Sequence, residues 1–127
     1  MNIGRAAAAS GVNAKMIRHY ESVGLIGAAK RSASGYRLYD PSDVSVLRFI
    51  KRGRKLGFSI ADIRTLLALW QDHRPSSEVK NVALAHIAEL DARIAELQGM
   101  RDTLRQLASH CPGDARPTCP ILKDLIG

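Results

Sequence analysis

Residues 2–26, NIGRAAAASGVNAKMIRHYESVGLI, decide the fold. Asn2 is a plausible N-cap for a short helix through Ala9, and Gly11 supplies a turn. Asn13 then caps a second helix running to about Ser22. Ala7, Gly11 four residues on and Ile17 six beyond that put a small residue, a turn residue and a buried hydrophobe where two helices meet closely. Two short helices around a Gly-containing turn predict a helix-turn-helix.

Downstream, the basic segment KRSASGYRLYD (30–40) carries Ser34-Gly35 between short runs containing Tyr36, Leu38 and Tyr39, which predicts a small β-hairpin, or wing. Pro41 opens a third helix with Asp40 or Ser42 as cap and Val44, Leu47, Phe49 and Ile50 as its apolar residues, and Gly57 ends it. Ser59 caps a fourth helix, in which Ile60, Ile63, Leu66, Leu67 and Trp70 recur at helical spacing.

After a break at residues 72–75, Ser76 or Ser77 caps a long helix reaching about Ser109, roughly 50 Å at 1.5 Å per residue. Ile87, Leu90, Ile94, Leu97, Leu104 and Ala108 alternate spacings of three and four along it, interrupted at Arg101. Such a seam needs a partner helix, and a twofold homodimer supplies one most economically. The expected class is therefore mainly α: a winged helix-turn-helix DNA-binding region over residues 1–72, a dimerisation helix over 76–109, and a loop and tail over 110–127.

Charge divides along the same line. Of 127 residues carrying a net +7, residues 1–64 hold twelve Lys/Arg against four Asp/Glu, and residues 65–127 hold seven against eight. A basic half joined to a near-neutral half fits phosphate contacts better than uniform solubilisation. Lys15, Arg18, His19 and Tyr20 fall on the second helix, where cations meet phosphates or base edges and a phenol donates to phosphate; alternatively, Tyr20 packs in the core and Lys15 is solvated. Lys51, Arg52, Arg54 and Lys55 are too closely spaced to share one helix face. MNIGRAAAAS lacks the build of a signal peptide and no stretch is apolar enough for a membrane span, so a cytoplasmic address without a membrane partner is expected.

Cys111 and Cys119 are the two cysteines of the chain. Pro112, Gly113 and Pro117 between them break any helix, leaving a loop able to bring two sulfurs together. Thiolates select soft ions such as Cu(I), whereas structural Zn(II) normally takes four ligands. Two unrelated thiols, or a pair cycling to a disulfide, are the competing readings, although C-x-x-C is absent. No nucleophile, base and orienting group stand together, which argues against an enzyme.

Several separated motifs resemble the MerR family of transcriptional regulators: IRHYESVGLI (17–26), KRSASGYRLYD (30–40) and KLGFSIADI (55–63) stand at its recognition helix, wing and second helical pair. The ending ELQGMRDTLRQLASH (96–110) followed by CPGDARPTCPI (111–121) resembles the copper-efflux regulators within it. The resemblance implies a winged helix-turn-helix at each end of an antiparallel coiled-coil homodimer, with a short metal-binding loop after the dimerisation helix. It implies activation by distortion of double-stranded promoter DNA for RNA polymerase when Cu(I), Ag(I) or Au(I) binds Cys111 and Cys119. It further implies wing contacts to DNA from Arg31, Tyr36 and Arg37, a second-wing phosphate contact from Arg54, and monovalent selectivity from Ser76, where sensors of divalent ions carry Cys. A ligand-independent DNA-binding module is the remaining alternative.

Overall fold

The computed structural model describes residues 1–27 and 29–127. Its elements are α1 (Ile3–Ser10), α2 (Ala14–Ser22), β1 (Lys30–Arg31), β2 (Arg37–Leu38), α3 (Pro41–Lys55), α4 (Ile60–Gln71), α5 (Ser76–His110) and α6 (Pro120–Ile126). The chain divides into two compact units, Met1–Val82 and Ala83–Gly127.

In the first unit, side-chain oxygens accept the orphan N–H groups that begin each helix. Asn2 Oδ1 accepts from Arg5 N at 2.9 Å, Asn13 Oδ1 from Met16 N at 2.8 Å, and Ser59 Oγ from Asp62 N at 3.0 Å. At α3 the cap is Asp40, whose carboxylate accepts from Asp43 N while the Asp43 carboxylate accepts from Asp40 N. Ser42 donates to that cap at 2.6 Å. Gly11 closes α1 with φ +74, a left-handed conformation that glycine adopts without steric cost.

Capping α1 at Asn2 turns Ala6 and Ser10, one helical turn apart, fully inward. Ala7, read from the sequence as the point of close approach, is only half buried. Ile17, Leu47, Ile50 and Ile63 are completely enclosed, one from α2, two from α3 and one from α4. Val12, Tyr20, Leu25, Ile26, Tyr39 and Leu67 complete the core around them. Trp70 departs from the expected buried stripe: it is 46 % exposed and stacks on Phe49 with ring centroids 5.2 Å apart and planes 3° from parallel.

The wing is shorter in its strands and longer in its turn than Ser34-Gly35 alone suggests. Lys30 pairs with Leu38 and Arg31 with Arg37, antiparallel. Ser32 N donates to Tyr36 O, and Gly35 N to Ser32 O, so a turn over 32–35 closes the hairpin. Two-residue strands have little independent stability. Their position therefore comes from outside the hairpin, beginning with the buried Tyr39, whose N–H donates to Met1 O at 2.7 Å.

Between α4 and α5 the chain turns through a Schellman-type end: His73 N donates to Trp70 O and Arg74 N to Leu69 O. His73 takes the left-handed position with φ 51. Arg74 then grips Glu78 with two N–H···O bonds of 2.9 and 2.7 Å. That pair holds the Glu78 carboxyl below its ordinary pKa. Ser76 is the first residue of α5 rather than a cap outside it.

In the second unit, α5 exposes the seam read from the sequence. Ile87, Ile94, Leu97 and Leu104 are each at least half exposed. The helix ends at His110, whose Nδ1 lies 2.7 Å from Gln106 O. Among the described residues no helix is long and apolar enough to cross a membrane.

Candidate nucleic-acid interface and metal centre

The capped start of α1, the face of α2 and the wing enclose an open groove of about 660 Å³ lined by Asn2, Arg18, Arg31, Tyr36, Arg37 and Leu38 among others. Three guanidinium groups line it, from α2, β1 and β2. Arg18, His19 and Lys15 are exposed on α2, and Tyr36 stands 73 % exposed at the wing tip. An exposed helix face beside an exposed aromatic and several arginines suits a polyanion whose backbone runs along the groove.

Tyr20 is the exception on α2. It is 6 % exposed and belongs to the core, its ring 5.9 Å from that of His19. Its edge reaches a second cleft, shared with Asn13, Met16, Lys51, Arg54 and Lys55. The inward direction follows from α2 itself, where Ile17 and Tyr20, three residues apart, lie on one face.

Part of the basic surplus serves the fold. Arg48 donates through Nε and Nη2 to Ala9 O at 3.1 and 2.8 Å, at the last turn of α1. Arg64 donates to Val23 O and Gly24 O beyond α2, and Arg54 to Phe58 O at 2.8 Å beyond α3. Arg31 donates to Gly35 O inside the wing. Cations at helix C-termini satisfy orphan carbonyls and complement the helix dipole. All four arginines remain exposed, so Arg31 and Arg54 combine a structural bond with access to solvent.

Glu21, which no spacing rule singles out, is a 14 %-exposed carboxylate behind the groove. It accepts from Ala29 N at 3.3 Å and from Tyr39 Oη at 3.4 Å, and it lies 3.6 Å from Arg37 Nε. Burial, then the neighbouring Glu21 charge, push the Tyr39 phenol above its ordinary pKa.

In the second unit, Cys111 follows the end of α5 and Cys119 caps α6. Their sulfurs are 3.5 Å apart and both residues are half buried. The loop between them is braced by Arg116, which donates from its backbone N to Asp114 Oδ1 and from Nε to Oδ2, each at 2.9 Å. Pro120 takes the first helical position of α6, whose opening N–H groups have no intrahelical partner. The Leu122 N–H, then the Cys111 thiol, hold Cys119 below the usual thiol range. Among the described residues no third His, Cys, Asp or Glu donor clusters with these two sulfurs. The donor set suits a soft ion satisfied by two thiolates and is poor for a tetrahedral structural zinc.

Ser76 lies in the first unit, exposed on the rim of an apolar groove formed by Phe49, Leu66, Leu69, Trp70 and Val79.

Residues 1–69 match the family described as MerR HTH family regulatory protein, and residues 44–107 match that described as MerR, DNA binding. The HTH-type transcriptional regulator HmrR of Sinorhizobium medicae is 59 % identical over 126 residues, covering 98 % of this chain and 86 % of that protein. The HTH-type transcriptional regulator CueR of Salmonella typhimurium is 40 % identical over 128 residues, covering 100 % and 93 %. Among solved structures, the transcription regulator PbrR691 of Ralstonia metallidurans, in complex with lead(II), superposes with a TM-score of 0.85 at 32 % identity, covering 98 % of each chain. With its capped helix pair, wing, second helical pair and long α5, the chain belongs to the MerR family of DNA-binding transcriptional regulators and is not an enzyme.

Proposed function

We infer that this protein is a metal-responsive transcriptional activator that binds double-stranded promoter DNA as a homodimer and responds to Cu(I), or to Ag(I) or Au(I), through Cys111 and Cys119. The observation that carries the metal reading is the pair of sulfurs 3.5 Å apart with no third donor clustered beside them among the described residues. A d¹⁰ monovalent ion is content with two thiolates, whereas Zn(II) and its relatives seek further ligands. Ser76 fits the same preference through the resemblance, in which sensors of divalent ions carry Cys at that position. The relative crystallised with lead(II) makes the choice of ion a matter for measurement.

The exposed α5 seam is the dimer contact, an antiparallel coiled coil. DNA is read by Lys15, Arg18 and His19 on α2, by Arg31, Tyr36 and Arg37 on the wing, and by Arg54 in the last turn of α3, with Tyr20 holding α2 from behind. Metal shifts an equilibrium between two DNA-bound states, which requires different metal affinities in the two. The altered DNA shape then serves RNA polymerase in the cytoplasm, where the thiols stay reduced.

The test is an anaerobic Cu(I) titration of the reduced dimer against a tight Cu(I) chelator, with Zn(II) and Pb(II) titrated in parallel. One Cu(I) per protomer, lost in Cys111→Ser and Cys119→Ser while DNA binding persists, is expected. Tighter Zn(II) or Pb(II) than Cu(I) overturns the monovalent assignment, and no metal binding overturns sensing altogether. A thiol pair that instead cycles reversibly to a disulfide at cytoplasmic potentials favours the redox reading.

A further inference from the structure

We propose that Glu21 is a positioning residue for DNA binding, whose carboxylate ties the recognition helix to the wing and orients Arg37 towards the groove it shares with Arg18 and Arg31. This rests on the reading of Arg37 as a DNA contact.

Glu21 follows Arg18 by three residues on α2, so it belongs to the element that carries the α2 cations. Its three neighbours all lie beyond that helix: Ala29 N before β1, Arg37 Nε on β2, and Tyr39 Oη after β2. A carboxylate this enclosed is stable only with such partners. The wing needs an external anchor, because its two-residue strands cannot hold it in place. Tyr39 provides a packed anchor in the core; Glu21 provides a polar one through Ala29 N, Tyr39 Oη and the Arg37 guanidinium.

Arg37 is the link to DNA. Its side chain is 31 % exposed, lines the groove, and has a buried Nε whose nearest acidic oxygen is that of Glu21, too far for a hydrogen bond. A guanidinium ion-paired with a carboxylate on its Nε side leaves its terminal N–H groups turned away from that carboxylate and available for two-point contact with a phosphate. Charge alone would argue the reverse, since an acid behind a DNA face repels phosphates. The two accounts predict opposite signs when the charge is removed without changing shape.

The experiment is a double-mutant cycle on the full-length dimer, using a fluorescently labelled duplex selected by the wild-type protein from a random-sequence pool. Glu21→Gln is expected to weaken binding roughly tenfold, the size of one charge-assisted contact. In an Arg37→Ala background the same change should cost less than about twofold, because the residue it acts through is gone. Equal losses in both backgrounds would make Glu21 a structural residue only, and a rise in affinity on Glu21→Gln would make it simple repulsion; either overturns the proposal. Should Glu21→Gln fail to fold, Arg37→Lys carries the test: it keeps the charge but has no Nε to face Glu21, so its loss should approach that of Arg37→Ala, and near-wild-type binding overturns the proposal. Wild-type affinity and salt dependence in Arg37→Ala would instead sink the DNA role of Arg37 itself.

Discussion

Cys119 Sγ lies 3.5 Å from Cys111 Sγ, and Cys119 holds the N-cap position of α6, so the thiol pair closes at the start of a helix. The Leu122 N–H and the Cys111 thiol favour its thiolate and lower its pKa. A lowered folded value means that the loop gains stability fully present above the ordinary thiol pKa and lost as pH falls through the folded one. Alkylation of the metal-free reduced protein, followed by peptide mass spectrometry, should show Cys119 reacting with a midpoint below that of an ordinary thiol. A Cys119 midpoint at or above the ordinary value contradicts the helix-terminus account.

Arg48 and Arg18 are both exposed cations of the first unit, yet they should behave differently. Arg48 closes the end of α1 through Ala9 O, so Arg48→Met should lower stability by about 1 kcal/mol and leave the salt dependence of DNA binding unchanged. Arg18→Ala should leave the melting temperature nearly unchanged and reduce the slope of log K against log salt by about 1. Melting curves and binding isotherms at several salt concentrations separate the two, and exchanged phenotypes would contradict the division.

His73 occupies a left-handed position, φ 51, at the Schellman-type end of α4. A side chain there costs roughly 1 kcal/mol that glycine avoids. His73→Gly should therefore raise the melting temperature of the reduced protein. A clear fall would mean that the His73 side chain contributes packing worth more than the backbone relief.

Leu97 is 63 % exposed near the middle of the α5 seam. Two charges facing each other across a twofold contact are strongly unfavourable in an apolar seam. Leu97→Glu should shift the protein from dimer to monomer in sedimentation velocity while the first unit keeps its helical signal. An unchanged dimer would place the contact on another face.

Much of the architecture was legible because its determinants are local. Asn2, Asn13, Asp40 and Ser59 each accept from an N–H three residues on, and Gly11 supplies the one left-handed residue that ends α1. The α5 seam and the two-cysteine loop are likewise matters of spacing along the chain. Where local rules failed, a neighbour distant in sequence had intervened. Trp70 continues the α4 pattern but is drawn onto Phe49 of α3.

The amino-acid sequence by itself determined the approximate bounds of α1 to α5, the basic first half and the loop that lets two thiols meet, since caps, periodicity and proline act within a few residues; α6 lies where only a loop and tail were expected. Only the tertiary structure decided how the charges are shared out. Arg48 reaches Ala9 across 39 residues, Arg64 reaches Val23 across 41, and Glu21 meets Tyr39 across 18. A guanidinium satisfies a buried-end carbonyl or a phosphate with the same donors, and which it meets depends on what packing brings within about 3 Å, a distance no linear spacing encodes.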